Sequence, residues 1–304
     1  MRQVLVVHYS QTGQLDRLAR SVCAPLEADP GVRVDYLRLV PATPHPFPWP
    51  FLRFFDTFPE TALMRPEPLA PLAIDANVRY DLIILAYQVW FLAPSRPVAS
   101  FLASPEAARL FAGTPVVTLI GCRNMWLMAQ EKVKARLAAL GARLVDNVVL
   151  TDACGSAASF VATPLWMFTG RRQPYAWLPK AGIAERDIDQ ARRFGRVIAE
   201  RLAQPGPVEA PMLSALGAVR VDEKLIASER VGNRSFQLWG RLLIALGPPG
   251  SPRRRAGLIV YIVFLICLIL TVVPVTALLK KLLAPLTRAR VRREKAYFAE
   301  PSGE

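Results

Sequence analysis

Val4-Leu5-Val6-Val7-His8-Tyr9-Ser10-Gln11-Thr12-Gly13-Gln14-Leu15 is the stretch on which the reading of this chain turns. Four consecutive branched apolar residues predict a strand buried on both faces, as in a parallel sheet covered by helices. Beyond Gly13, Leu15, Leu18, Ala19, Val22 and Leu26 recur at spacings of three and four, the pattern of an amphipathic helix. A strand, a hydroxyl-bearing loop and a helix N-terminus form an anion site. Backbone N–H groups and the positive end of the helix dipole point at the loop, and Ser10 and Thr12 add donors. Gly13 lets the backbone approach a bound group closely.

The loop also says which anion. A nucleoside triphosphate loop needs a Lys after its last glycine, and here Gln14 and Leu15 follow. A dinucleotide loop needs three glycines and an acidic residue past the second strand. This one has a single glycine, and the second strand (32–39) runs into Leu37-Arg38-Leu39-Val40. What remains is one terminal phosphate held by neutral donors, although a strand–turn–helix corner that binds nothing has the same pattern. Tyr9-Ser10-Gln11-Thr12-Gly13-Gln14 resembles the phosphate loop of flavodoxin-like proteins, which grips the phosphate of FMN. The resemblance implies FMN as cofactor and Ser10, Gln11, Thr12, Gly13, Gln14 and Leu15 as its phosphate-binding residues.

Further strands are expected at 80–86, 115–121 and 143–150, each a buried apolar run, with helices after residue 97, over 128–140 and over 185–203. The fold class this predicts is α/β: a flavodoxin-like, doubly wound, five-stranded parallel sheet over residues 1–204. The resemblance extends to two more segments. Asp81-Leu82-Ile83-Ile84-Leu85-Ala86 with Val89-Trp90 and Pro94 looks like the family's second flavin-binding segment, which implies Gln88, Val89, Trp90 and Phe91 as contacts. Gly121, Cys122, Arg123 and Asn124 occupy its third, where Arg123 would stabilise an anionic reduced flavin. Trp90 as plain core packing is the other reading. Cys122 reads as a small buried residue, since no His is near to activate it.

Two stretches depart from that frame. About 41–77 is dense in proline, with Phe47, Trp49, Phe51, Phe54, Phe55 and Phe58; about 151–180 carries Phe160, Trp166, Phe168, Tyr175 and Trp177. Both are expected to be irregular insertions, the first because proline at this density breaks helices and strands, the second because it is longer than a sheet-to-helix loop needs to be. For the first, two readings stand: packing on the domain's flank, or a lid or membrane-facing lip for a greasy substrate.

Of 304 residues, 52% are hydrophobic, and 38 Lys and Arg against 24 Asp and Glu give a net charge of +14. Such charge suits phospholipid headgroups, nucleic acid or acidic partners. Cys23, Cys122, Cys154 and Cys267 show no paired spacing, and His8 and His45 cannot build a metal cluster, so a reducing, cytoplasmic setting is expected. No signal peptide is read at the N-terminus. Residues 205–252 read as a linker or membrane-proximal segment, with Leu238 to Leu246 either at the headgroups or packed on the domain. Residues 253–304 read as a membrane anchor with a basic tail. Ala256 to Leu279 carries no charge; at ~1.5 Å per residue it is ~36 Å long, enough for a ~30 Å hydrocarbon core. The tail (Arg288, Arg290, Arg292, Arg293, Lys295) should be cytoplasmic by the positive-inside rule. A flavin domain facing the cytoplasm from the inner membrane should be on that side too. Either Pro274 breaks the segment so that it re-enters on one side, or the chain spans once against the bias. The flanks account for the charge through anionic lipid, without nucleic acid.

The opening motif, the length and the hydrophobic C-terminus resemble bacterial flavodoxin-like proteins known as dialkylresorcinol condensing enzymes. That resemblance implies a ketosynthase partner and a membrane-anchored FMN-dependent oxidoreductase that oxidises a dialkyl-cyclohexanedione to the aromatic dialkylresorcinol. The catalytic base is unassigned: His8, inside the first strand, is expected to point away from the pocket. The sequence keeps two other readings open, a membrane-tethered electron carrier or quinone reductase and a flavin-free scaffold, and it leaves homodimerisation open. Deleting 253–304 is expected to leave a soluble, flavin-binding domain.

Overall fold

Val4 to Val7 are wholly buried in β1 (Arg2–His8), as a strand with helices on both faces must be. From it the chain passes through α1 (Gln14–Glu27) to β2 (Val32–Arg38), then α2 (Phe51–Asp56) and α3 (Phe58–Ala62). β3 (Leu82–Trp90), the two-residue β4 (Ala93–Pro94), α4 (Arg96–Leu102) and α5 (Pro105–Phe111) follow. Next come β5 (Pro115–Cys122), α6 (Leu127–Ala139), β6 (Arg143–Thr151), α7 (Gly155–Thr169), α8 (Glu185–Gln190) and α9 (Arg192–Ala203). The chain ends with α10 (Glu223–Ala245) and α11 (Pro252–Ala299). This is a computed structural model that describes residues 1–303 except 76, 209 and 210; the side chains of 156, 157, 272–274 and 276–286 lie outside the description.

The sheet order is β2-β1-β3-β5-β6, with every neighbour on that path parallel and β4 antiparallel to the end of β3. With β4 set aside this is the flavodoxin-like order 2-1-3-4-5. Val4 pairs with Val34 on one side and Leu82 on the other, so the chain leaves β1 toward one edge and returns on the opposite flank. The loops after β1 and β3 diverge there and open a crevice at the carboxyl ends of the strands.

Four expectations need revision. The first insertion is irregular except for two short helices: α2 follows Pro50, and Pro59 sits in the first turn of α3, where a missing N–H costs nothing. The second contains the 15-residue α7, which keeps Pro164 inside it and ends on Gly170 in the left-handed region. The segment read as a linker contains α10, started by Asp222, whose side chain accepts from Lys224 N at 3.0 Å, and packed on α3 and α6. Residues 253–304 are not a free tether. Ser302 Oγ donates to Asp146 Oδ1 (2.6 Å) and accepts from Asn147 N (2.6 Å), while Phe298 joins the main core and Arg254 is 1% exposed. Deleting this stretch would therefore unseal the core rather than free a finished domain. Of the described residues, Pro252–Thr271 is the one helical stretch long and apolar enough to cross a membrane, and only 22% of it is buried. Pro274, on which the re-entry reading depends, has a side chain outside the described residues.

α10 also places a carboxyl where water cannot reach it. Glu229 is 1% exposed; its Oε2 accepts from Met128 N at 3.1 Å, with Leu127 N as a second donor, at the start of α6. Burial pushes its pKa up to about 8, and the two amides offset only part of that. The unfolded chain releases this proton near the ordinary glutamate value. Between that value and pH 8 the native state therefore holds one proton more, and stability falls as pH rises. Glu229→Gln is expected to flatten the dependence of melting temperature on pH between about 5 and 8. Equal slopes in parent and variant would refute it.

Candidate functional site at the carboxyl end of the sheet

A cavity of about 510 Å³ occupies the crevice. Three loops supply its inner wall: Gln11 and Thr12 after β1, with Gln14 and Leu15 of α1; Gln88, Val89, Trp90 and Phe91 at the end of β3; and Gly121, Cys122 and Arg123 at the end of β5. Of the expected site residues, Ser10, Gly13 and Asn124 are not among its described lining. The outer wall is apolar. It consists of Phe47 and Trp49, Phe51, Phe54 and Phe55 of α2, Trp166, Met167 and Phe168 of α7, and Ile262, Leu265, Ile266 and Ile269 of α11.

The first loop is built to leave donors free. Gly13 is the N-cap of α1 at φ +79°, a conformation that costs a side-chain-bearing residue, and no side chain caps the helix. A Cβ at Gly13 would meet nothing within 4 Å, so the space over the helix end is open. The side chains of Gln11 and Gln14, two residues of the cavity lining, are hydrogen-bonded within the protein. Gln11 donates to Pro46 O (2.9 Å) and accepts from Trp49 Nε1 (3.1 Å), which ties the loop to the first insertion. Gln14 donates to Ile183 O (2.9 Å) and accepts from Ile183 N (3.3 Å). Next to it Gly182, at φ +90°, is required by space: a Cβ there would lie 2.6 Å from Gln14 Oε1 and 3.0 Å from the Trp166 ring.

The second loop is strained. Phe91 (φ 49°) and Leu92 (φ 57°) are both in the left-handed region without being glycine. Lys132 Nζ holds the turn by donating to Leu92 O (2.9 Å) and Ala62 O (3.0 Å); burial brings its pKa down to about 8. Trp90 meets Tyr9, His45 and Trp49 edge-to-face, with ring centroids 5.9, 5.1 and 5.7 Å away. Such contacts fix the indole's plane. His45 Nε2 is fixed in turn 2.9 Å from Glu67 Oε1.

In the third loop Arg123 Nε donates to Ser159 Oγ (3.0 Å), and its guanidinium lies 4.1 Å from the Phe160 ring centroid. Burial lowers the Arg123 pKa from the usual arginine value, yet an arginine so placed keeps its charge. Burial also raises the Cys122 thiol, and the Glu229 and Asp152 carboxylates raise it further, which leaves it protonated and a poor nucleophile. Three buried polar atoms around the cavity have no protein partner: Ser10 Oγ, Gln88 Oε1 and Arg123 Nη2. The same holds for Ser95 Oγ, Asn147 Nδ2 and Tyr261 Oη elsewhere in the fold. His8 lies outside the described lining; its Nε2 is 3.0 Å from Asp16 Oδ1, and burial lowers its pKa against the pull of that carboxylate.

Sequence reading missed Asp152, whose Oδ1 accepts from Cys154 N (3.0 Å) and Oδ2 from Thr163 Oγ1 (3.0 Å) while it lines the cavity. It missed Gly182 and Ile183 as well, and it read the α11 isoleucines as lipid-facing only. No local pattern marks any of these, because each reaches the site from a distant part of the chain.

No family model matches this chain, and no curated protein does. Solved structures do. A flavoprotein in complex with FMN from Lactobacillus acidophilus NCFM is 14% identical, with 49% of this chain and 93% of that one covered and a TM-score of 0.40. A flavodoxin from the domain Archaea is 11% identical (67% and 100% covered, TM-score 0.35). A flavodoxin, WrbA-like protein from Agrobacterium tumefaciens is 13% identical (66% and 98% covered, TM-score 0.37).

Proposed function

We propose that the chain is an FMN-dependent oxidoreductase acting on a lipophilic substrate at a membrane surface. The observation that carries this is the two-sided cavity: an uncapped helix end and the loops after β1, β3 and β5 at its inner wall, aromatic and aliphatic side chains at its outer wall. FMN fits these residues. The first-turn N–H groups of α1, with Thr12 and Ser10, would hold its phosphate. Trp90 would flank the ring, and Gln88, Gly121, Cys122 and Arg123, which line the cavity, would meet its polar edge. Bound there, FMN supplies two-electron hydride chemistry. The chain's own part is to orient and to exclude water: the α2 and α7 aromatics close over the inner wall, and the strained Phe91-Leu92 turn sets Trp90.

Within this reading we favour the aromatising oxidation, in which a dialkyl-cyclohexanedione loses a hydride and a proton to become a dialkylresorcinol. A ketosynthase would supply the dione. Alkyl chains then follow the outer wall toward α11, whose exposed Ile259, Val260, Val263 and Leu270 suit a bilayer. The flavin domain would face the cytoplasm.

The detergent-purified protein is expected to show flavin absorption bands, or to gain them on titration with FMN. A protein that stays colourless and cannot be reconstituted overturns the proposal. Ile269→Trp, which fills the α11 side of the cavity, is expected to lower kcat/KM for long-chain diones at least about tenfold while leaving short-chain analogues and FMN binding within about twofold. Equal losses on both substrates would remove the alkyl path.

A further inference from the structure

The two ends of α11 dock on the same body. At one end, Leu258, Tyr261 and Ile262 share a buried cluster with Leu243 of α10, and a Cβ on Gly257 would collide with Leu246. At the other, Glu294 pairs with Arg230 near the start of α10 (2.5 Å), Tyr297 donates to Glu131 (2.7 Å), and Ser302 bonds Asp146. Leu243 and Arg230 are only about 20 Å apart along α10, whereas a straight helix would put Gly257 and Glu294 about 55 Å apart. Side-chain reach at the two contacts adds roughly 20–25 Å, which does not close the gap. α11 is helical from Pro252 to Ala299 and therefore bends between its two docked ends, so that its middle stands away from the domain.

We infer that α11 is a re-entrant membrane element: its apolar middle enters one leaflet of an anionic bilayer from the domain's side and returns there without crossing. This rests on the membrane reading above and fixes its topology. Length agrees. From Gly257 to Arg290 there are about 50 Å of helix, or ~25 Å each way, short of the ~30 Å hydrocarbon core. Charge agrees too. Arg253 and Arg255 at the exit and Arg288, Arg292 and Arg293 at the return are exposed and so free to meet anionic headgroups on the domain's side. The positive-inside conflict disappears, because both basic flanks and the domain are on the cytoplasmic side. The outgoing limb keeps one face for the cavity (Ile262, Leu265, Ile269) and another bare (Ile259, Val260, Val263), so a lipophilic molecule can pass from leaflet to cavity without entering water.

The test uses the full-length chain carrying one epitope at each end, in bacterial membranes washed with alkaline carbonate. Both epitopes are expected to be digested by added protease in inside-out vesicles and protected in spheroplasts. A membrane-retained chain with its epitopes on opposite faces overturns re-entry and leaves the membrane reading standing. A chain released by the wash overturns both.

Discussion

Thr12→Asp combined with Gly13→Val is expected to raise the dissociation constant for FMN at least about a hundredfold, close to 2.7 kcal/mol. The charge change acts on binding directly, and the backbone change acts on it by displacing the donors. The new aspartate would put a carboxylate beside the phosphate in place of a hydroxyl donor, and a hydrogen bond to a charged group is worth about 1.5–3 kcal/mol. A β-branched residue at φ +79° must adopt a conformation that costs an L-residue roughly 1–2 kcal/mol, and the N–H groups of the first turn shift with it. The cavity's other walls are untouched, so circular dichroism should stay near the parent's and melting temperature should fall only by the few degrees that backbone strain costs, while flavin fluorescence quenching is lost. Thr12→Val alone should give an intermediate loss of about tenfold, since the backbone donors remain. Undiminished flavin stoichiometry in the double variant would remove the phosphate from this loop.

That loop was legible because everything it needs is local. Val4 to Val7 announce a strand buried on both faces, Gly13 a backbone turn, and the spacing from Leu15 to Leu26 a helix. The apolar runs at 82–86 and 116–120 announce their strands in the same way, and the parallel order follows from helices between them. What stayed hidden depends on distant partners. Pro164 reads as a breaker, yet α7 is held around it by Ala162 and Trp166 packing against Leu178 and Ala181. A uniformly apolar helix has no periodicity to show which side faces protein, so the share of α11 in the cavity wall could not be read. The side-chain bonds of Gln11 and Gln14, to Pro46, Trp49 and Ile183, join distant segments to the loop and have no local signature. Among three consecutive arginines, 253 to 255, nothing local distinguishes the middle one.

Arg254→Ala is expected to cost about 3–5 kcal/mol of stability, the largest single-site loss we foresee. The Arg254 side chain is 1% exposed. Its Nε meets Asp56 Oδ1 at 2.7 Å, its Nη1 and Nη2 meet Glu60 Oε1 and Oε2 at 2.6 and 2.7 Å, and Nη2 also donates to Asp56 O at 2.6 Å. Removing the guanidinium strands two carboxylates that have little access to water, which is where the penalty arises. Asp56 retains 21% of its exposure and can draw in solvent, which favours the lower half of the range. Arg254→Lys should recover little, because an ammonium cannot satisfy both oxygens of Glu60 and the backbone of Asp56 together. The loss should also reach the site, since this ion pair clamps the start of α11 to the helix that carries Phe51, Phe54 and Phe55 of the cavity wall. A triple variant, Arg254→Met with Asp56→Asn and Glu60→Gln, separates the causes. Recovery of most of the stability there would assign the cost to the stranded carboxylates. A triple variant as unstable as Arg254→Ala would assign it to the guanidinium's packing, and charge would no longer explain how α11 is held to the insertion.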